Sequence, residues 1–286
     1  MNAPDHIPLS GVIEGMRAED YHAAPGLSNS GLSVLSRSPF LYYSRMLDPA
    51  RPPEPERGGQ LEGTLAHCAI LEPGEFDTRY RVGPQVSRAT KAWKEAEELA
   101  CADGVQLIKP DQYEASMHQG AAVRILPQVR ELLEIGRPEL SAFANDPRTG
   151  VLKKCRPDWT HYCGDGDVIL MDVKTYSDAS PAEFARQIAR KGYYRQAAHY
   201  WDTYQRAAKV NVLAFVFVAV ETEWPYQASA VMLDDAALEF GRRENERLTE
   251  LYAQCLERNK WPGYGDQIAL VSLPRYITNP YNPEEE

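Results

Sequence analysis

The segment CRPDWTHYCGDGDVILMDVKTY, residues 155–176, constrains this chain more than any other. Gly164-Asp165-Gly166 separates two runs of strand character, so the segment reads as an antiparallel hairpin. With a three-residue loop, Cys163 faces Asp167, and counting outward sets Asp158 opposite Asp172. Directly opposed residues have Cβ atoms about 4.5–5.5 Å apart, and like charges there repel. Val168, Ile169, Leu170 and Met171 are continuously apolar, so the second strand is expected to be buried on both faces. A charged pair at its end then needs a partner, and a cation between the carboxylates would provide one. Lys174, two residues past Asp172, shares that face of the strand. Two carboxylates and a lysine converging there can bind a divalent metal and offset charge at a phosphate.

Composition limits the alternatives. The 286 residues are 43% hydrophobic and 25% charged, as expected of a globular chain with a sizeable core. No apolar run is long enough to span a bilayer, so no membrane association is expected. The N-terminus lacks the basic-then-apolar pattern of a secretory signal. Cys68, Cys101, Cys155, Cys163 and Cys255 are odd in number and form no C-x-x-C pair, which favours reduced thiols and a cytoplasmic protein. The net charge of −10 argues against a non-specific nucleic-acid coat protein but leaves room for a nucleic-acid enzyme with a local basic field. Lys153, Lys154 and Arg156 before the hairpin, and Arg186, Arg190, Lys191 and Arg195 after it, are candidates for that field; solvated helix faces are the other reading.

Along the chain, residues 1–26 read as an irregular N-terminal segment. The stretch from Leu27 begins a helix with Ser28 or Ser30 as N-cap, and 51–59 is a loop. Gln60–Leu71 is a helix ended by Glu72-Pro73-Gly74. A helix ends at Gly104, and another runs from Pro110 to about Ile135. After the hairpin come a helix from Pro181 to Ala208 with Gly192 as a break point, a buried strand over 210–220, a second strand over 226–233, and a helix from Asp234 to Arg258. The tail NPYNPEEE is expected to be disordered. Strands enclosed by helices indicate an α/β fold, a mixed central β-sheet flanked by helices with a helical N-terminal elaboration. A single domain is expected over 27–262, with a core at about 150–235 and a tail over 263–286.

Further residues carry candidate chemistry. His67, in the apolar helix GTLAHCAIL, suits either a hydrogen-bonded boundary histidine or a neutral imidazole ligand beside the two aspartates. Such an oxygen-rich set favours Mg²⁺ or Mn²⁺. Gln196 and Tyr200, four residues apart on a helix, point the same way.

His67, Asp158, Asp172-x-Lys174 and Gln196-x-x-x-Tyr200, in this order, resemble the RecB-type branch of the PD-(D/E)XK nucleases. The segments GTLAHCAILEP, RPDW, DVKT, RQAAHY and SNSGLSVLSRSP make the resemblance closer to the exonuclease VIII (RecE)-like phage and prophage exonuclease domain, over roughly residues 20–257. The resemblance implies a restriction-endonuclease-like core. His67, Asp158, Asp172 and the Val173 carbonyl would be the metal ligands. Lys174 would act on the attacking water and on phosphate charge, and Gln196 and Tyr200 would complete the motif. Ser28, Ser30 and Arg37 would lie near the DNA end. Arg88, Lys91 and Lys94 are candidate phosphate contacts, or simply a solvated helix start.

The implied activity is an exodeoxyribonuclease that uses Mg²⁺, or Mn²⁺ in its place, on double-stranded DNA ends. Degradation in the 5′→3′ direction would leave single-stranded tails for recombination in a bacterial host. A homo-oligomer and a single-strand annealing protein as partner come from the same resemblance. An endonuclease or single-strand-specific nuclease on the same core, and a catalytically silent DNA-binding or assembly module, remain alternatives. With no G-x-x-x-x-G-K-[ST] motif, an in-chain P-loop motor is excluded; with no cysteine cluster flanking the core, so is an iron–sulfur relative.

Overall fold

The computed structural model describes residues 10–52, 59–265 and 267–273. In chain order the elements are β1 (Gly11–Ile13), α1 (Ala18–Ala23), α2 (Asn29–Leu35), α3 (Pro39–Tyr42), α4 (Gln60–Leu71), α5 (Phe76–Arg79), β2 (Tyr80–Val82), α6 (Lys91–Ala102), β3 (Gln106–Ile108), α7 (Pro110–Ile125), α8 (Pro127–Glu134), β4 (Gly136–Pro138), β5 (Ser141–Asn145), β6 (Leu152–Cys155), β7 (Trp159–Tyr162), β8 (Val168–Tyr176), α9 (Pro181–Lys191), α10 (Tyr193–Ala208), β9 (Val212–Glu221), β10 (Ala228–Met232) and α11 (Asp235–Arg258). The mixed α/β architecture expected from the sequence is present. A five-stranded sheet has the order β10-β9-β8-β7-β4. Its central pair, β8 and β9, is parallel, and the other pairs are antiparallel. A parallel pair needs a crossover, and α9 with α10 supplies it.

Strand alternation explains the two cores. Leu170 on β8, with Phe215, Phe217 and Ala219 on β9, faces Phe184 of α9 and Ala197 of α10. Met171 and Val173, with Val216, Val218 and Val220, face Ile70 of α4 and Val123 of α7. Helices therefore cover both faces of the central strands, which is why these strands read as unbroken apolar runs. At α4 and α7 the approach is close: a Cβ on Gly120 would lie 2.9 Å from the Ala69 carbonyl oxygen. Arg124 then donates to the Ala69 and Ile70 carbonyls at 3.1 and 2.7 Å, satisfying carbonyls left over at the C-terminus of α4.

Several expectations need correction. Residues 11–13 and 18–23, expected to be irregular, form β1 and α1, and β1 pairs with β5. The helix expected from Pro110 to Ile135 breaks at Pro127 into α7 and α8, because proline cannot donate into the ladder and its ring crowds the preceding turn. Strands β4, β5 and β6 occupy 136–155 with no expectation set for them. Lys153 and Lys154 do not form a phosphate-facing basic patch, since both are buried. Lys153 pairs with Asp146 at 2.9 Å. Lys154 donates to the carbonyls of Tyr21, His22 and Ala24 at 2.8, 3.2 and 2.6 Å, tying down α1. Arg156 is bound to Glu139 and to the Met16 carbonyl. Arg186 and Arg190 are engaged by Glu183 and Gln187 of their own helix. Loop residues 53–58 and the tail NPYNPEEE lie outside the described residues.

Candidate active site

The hairpin has the register deduced from its sequence. Trp159 pairs with Met171 and Tyr162 with Val168, so one step outward sets Asp158 opposite Asp172. Cys163 N–H donates to the Asp167 carbonyl at 2.8 Å, closing a three-residue loop with Gly166 at φ 84°. Upstream, the chain changes sheets at Arg156-Pro157-Asp158: β6 pairs with β5, whereas β7 belongs to the five-stranded sheet. Pro157, having no N–H, suits this break in the ladders. Asp158 therefore stands just before β7, and the β7 edge of β8 beyond Met171 lacks a strand partner.

Side chains take over on that open edge. Asp158 Oδ2 accepts the Val173 N–H at 2.7 Å. His67 Nε2 meets the Val173 carbonyl oxygen at 3.1 Å, and its Nδ1 lies 3.6 Å from Asp158 Oδ2. Helix α4, locked by Gly120 and Arg124, delivers this imidazole. On the opposite side Asp172, 2% exposed, accepts from Gln196 Nε2 of α10 through Oδ1 at 2.5 Å. Its Oδ2 is ion-paired with Lys174 Nζ and accepts no other hydrogen bond. Lys174 Nζ also lies 5.0 Å from the centre of the Tyr193 ring, a cation–π arrangement. Tyr193 in turn shares a 2.6 Å hydrogen bond with Tyr176.

The electrostatics follow from two carboxylates and one ammonium that are largely buried. Burial pushes the Asp158 carboxyl up to about 6, and the Asp172 charge adds to the rise. Burial alone would lower the Lys174 ammonium, but Asp172 and Asp158 carry it above the ordinary lysine value. It is a firmly protonated cation. Burial raises the Tyr200 phenol well above its usual range, and its ring packs edge-on against Phe215, centroids 5.9 Å apart. Tyr200 therefore supports the wall behind the carboxylates.

The donor set suits a divalent cation in kind. Asp172 Oδ2 is buried with the Lys174 ammonium against it, Asp158 and the Val173 carbonyl add oxygens, and His67 adds a nitrogen; hard and borderline cations take such ligands. Lys174 engages the Asp172 carboxylate directly. Among the described residues no three His, Cys, Asp or Glu side chains are gathered as a ready metal cage, and Lys174 occupies the Asp172 oxygen that a cation would share.

The structure thus brings His67, Asp158, Asp172, Val173, Lys174 and Gln196 together. The weaker DNA candidates have other contacts. Ser28 caps α2, accepting the Gly31 N–H at 3.1 Å and meeting the Ser30 hydroxyl at 2.9 Å. Arg37 is exposed. Arg88 reaches Gln112 at 3.4 Å and lies over the Trp93 ring, and Lys91 pairs with Glu95 on its own helix. Sequence reasoning missed three neighbours. Tyr176 and Tyr193 form the wall beside Lys174. Glu139, at φ 52°, donates its N–H to the Asp158 carbonyl at 3.1 Å. Its side chain lines a cleft of about 270 Å³ together with His67, Thr64, Glu72 and Arg79. Tyr176 had a signal, since it continues the Asp172, Lys174 alternation. Glu139 had none, because a left-handed φ is unexpected for glutamate.

Comparison with known proteins bears on the fold and the family. A protein from Eubacterium rectale carrying a provisional exonuclease name superposes with a TM-score of 0.56 at 12% identity, over 92% of this chain and 98% of that one; the likeness is one of fold. An alkaline exonuclease from Laribacter hongkongensis matches 68% of this chain and 91% of its own at 16% identity, with a TM-score of 0.27, too low to weigh. No curated protein sequence matches the chain. The model of a family described as a PDDEXK-like domain of unknown function (DUF3799) matches residues 30–274. That match spans most of the sequence and includes every member of the carboxylate–lysine cluster, and the chain belongs to this family of PDDEXK-like domains.

Proposed function

We propose that the protein is a metal-dependent deoxyribonuclease, and specifically a Mg²⁺-dependent exonuclease acting on double-stranded DNA ends. The observation that carries this reading is the pair Asp158 and Asp172, opposed across the hairpin with His67 and the Val173 carbonyl at one end and Lys174 and Gln196 at the other. Direction 5′→3′, single-stranded products for recombination, a homo-oligomer and an annealing partner rest on the RecE-type resemblance alone, and a cytoplasmic setting rests on it and on the unpaired cysteine pattern of the sequence.

The residues divide the work. Asp158, Asp172, His67 and the Val173 carbonyl would hold a divalent ion. Bound there, such an ion lowers the pKa of water and neutralises charge at a phosphate. Asp158 fixes the Val173 peptide through its N–H, so the neighbouring carbonyl keeps its aim. Gln196 holds one oxygen of Asp172, and the other, now against Lys174, is the one a divalent ion would share. Lys174, protonated and backed by the Tyr193 ring, offers positive charge where negative charge develops on the phosphoryl oxygens. Lys174 therefore acts as a charge partner in this reading.

The test is digestion of an end-labelled linear duplex with Mg²⁺, with an EDTA control and a covalently closed circular substrate. Mg²⁺-dependent loss of the linear DNA alone is expected, and the position of the label gives the direction. Cleavage of the circle would replace exonuclease with endonuclease, and no cleavage of either DNA in Mg²⁺ or Mn²⁺ would refute the activity.

A further inference from the structure

The β9–β10 hairpin turns beside the open end of β8. Thr222 N–H donates to the Tyr176 carbonyl at 2.8 Å, and Tyr176 pairs with Glu221 across the parallel strands. Tyr176 itself is two residues beyond Lys174. Three rings from two elements gather at this turn. His118 of α7 and Tyr226 are stacked, with centroids 5.5 Å and planes 8° apart. Trp224 stands nearly perpendicular to both, 6.2 Å from His118 and 6.4 Å from Tyr226. Trp224 is 78% exposed, so an indole face is open to solvent.

The turn is braced. Tyr226 adopts φ 59°, a left-handed conformation that is costly for a ring-bearing residue, and its N–H donates to the Glu223 carbonyl at 2.7 Å. Gln119 of α7 donates to the Glu221 carbonyl at 2.9 Å. The Glu221 carboxylate accepts the Gln227 N–H at 3.2 Å. An exposed tryptophan is thus mounted on a fixed support.

Chemistry narrows what the indole meets. Glu221 commits its carboxylate to the Ala179 and Gln227 N–H groups, and Glu223 beside the indole turns a strand's phosphates away from the ring, leaving its base to reach it. A flat, apolar, electron-rich ring instead suits the π-face of a base, and such stacking tolerates any sequence. Bases inside a duplex have both faces covered, so the partner is an unpaired base. At about 3.3 Å per strand residue, Trp224 lies within roughly 20 Å of Lys174 along the backbone, a span of a few nucleotides of an unpaired strand. A strand threaded past the carboxylates reaches that far.

We propose that Trp224, backed by Tyr226 and His118, is a stacking platform for an unpaired nucleobase of the substrate a few nucleotides from the scissile phosphate. The assignment of the substrate as nucleic acid rests on the nuclease reading above. The test measures binding of a labelled single-stranded oligonucleotide and of a blunt duplex, in EDTA and over a range of salt. Wild type, Trp224→Ala and Trp224→Phe are compared. Trp224→Ala should weaken single-strand binding about tenfold and leave blunt-duplex binding unchanged. Its salt slope should match that of the wild type, since no phosphate contact is removed. Trp224→Phe should recover most of the affinity. A 2-aminopurine in the single strand should be quenched by the wild type more than by Trp224→Ala. Equal single-strand affinity in wild type and Trp224→Ala, an equal loss on both DNAs, or no single-strand binding by the wild type would overturn the platform. If the wild type stacks the base but never cleaves, only the nuclease reading fails; if it cleaves while Trp224→Ala binds unchanged, only the platform fails.

Discussion

Breaking the Asp172–Lys174 pair gives the sharpest quantitative expectation. The side chains are 3% and 19% exposed, so neither charge has much water to fall back on. Removing one partner of such a pair costs about 3–5 kcal/mol, because the other is left buried and uncompensated. Lys174→Met keeps the stem packed on Tyr193 but leaves Asp172 beside Asp158 with only Gln196 in support. One of the two carboxyls then takes a proton, which offsets part of the penalty, so we expect about 3 kcal/mol for this change. Asp172→Asn should cost about the same, since the ammonium is then left without its nearest anion. The double variant removes both charges together and should be milder than the sum by about 2 kcal/mol, within the range for contacting residues. Urea denaturation of all four proteins in EDTA measures the cycle. Each single variant should also melt roughly 6–12 °C lower, at about 2–4 °C per kcal/mol for chains a little shorter than this one. A coupling below about 0.5 kcal/mol would show that the two charges are stabilised independently, and the account of the site as one electrostatic unit would fall. The same cycle carries a sign for metal. Because the ammonium competes for Asp172, Lys174→Met should bind Mn²⁺ at least as tightly as the wild type while losing most cleavage.

Other expectations follow from single contacts. Gly120→Ala forces a methyl against the Ala69 carbonyl, so it should destabilise by about 1–3 kcal/mol and lower cleavage by shifting His67; unchanged melting and activity would sink the claim that this approach positions α4. Gln196→Leu leaves a buried carboxylate oxygen without its donor, costing about 1–3 kcal/mol, and should reduce but not abolish cleavage, whereas wild-type stability would mean that the amide contact is idle. Asp146 is buried, which alone would raise its carboxyl, but the Lys153 ammonium and the Thr149 donors hold it down at about 2. Since its folded value lies below the ordinary carboxylate value near 3.9, its stabilising share is complete above about pH 5 and is lost as pH falls through about 2, a loss of about 2–3 kcal/mol. Asp146→Asn should flatten that part of the stability–pH curve, and an unaltered acid limb would contradict the assignment.

The sequence was most legible where local chemistry fixes geometry. Two glycines at a three-residue turn between strand-forming runs set the hairpin register, and with it the Asp158–Asp172 opposition. Glu72-Pro73-Gly74 ended α4, and Gly192 at φ 71° divided α9 from α10. Legibility failed where distant contacts reverse the usual meaning of a residue. Lys153 and Lys154 look like a basic surface. They are buried because Asp146 and the carbonyls at the end of α1 receive them, and the latter partners lie about 130 residues away. That inward-facing pair also hid β6, whose alternation does not look amphipathic. Apolar residues continue on both sides of Pro127, so their spacing suggested one helix where the missing N–H makes two. Glu139 escaped notice because its place depends on a strained backbone and on a peptide that belongs to Asp158.

The central claim is that Asp158 and Asp172 hold a divalent cation between them. Isothermal titration of Mn²⁺ into the metal-free protein, beside an Asp158→Asn/Asp172→Asn variant, tests it most directly. The account predicts saturable binding by the native protein, accompanied by a higher melting temperature, and neither effect in the doubly substituted chain. Equal heats from both proteins, or none from the native one, would contradict it.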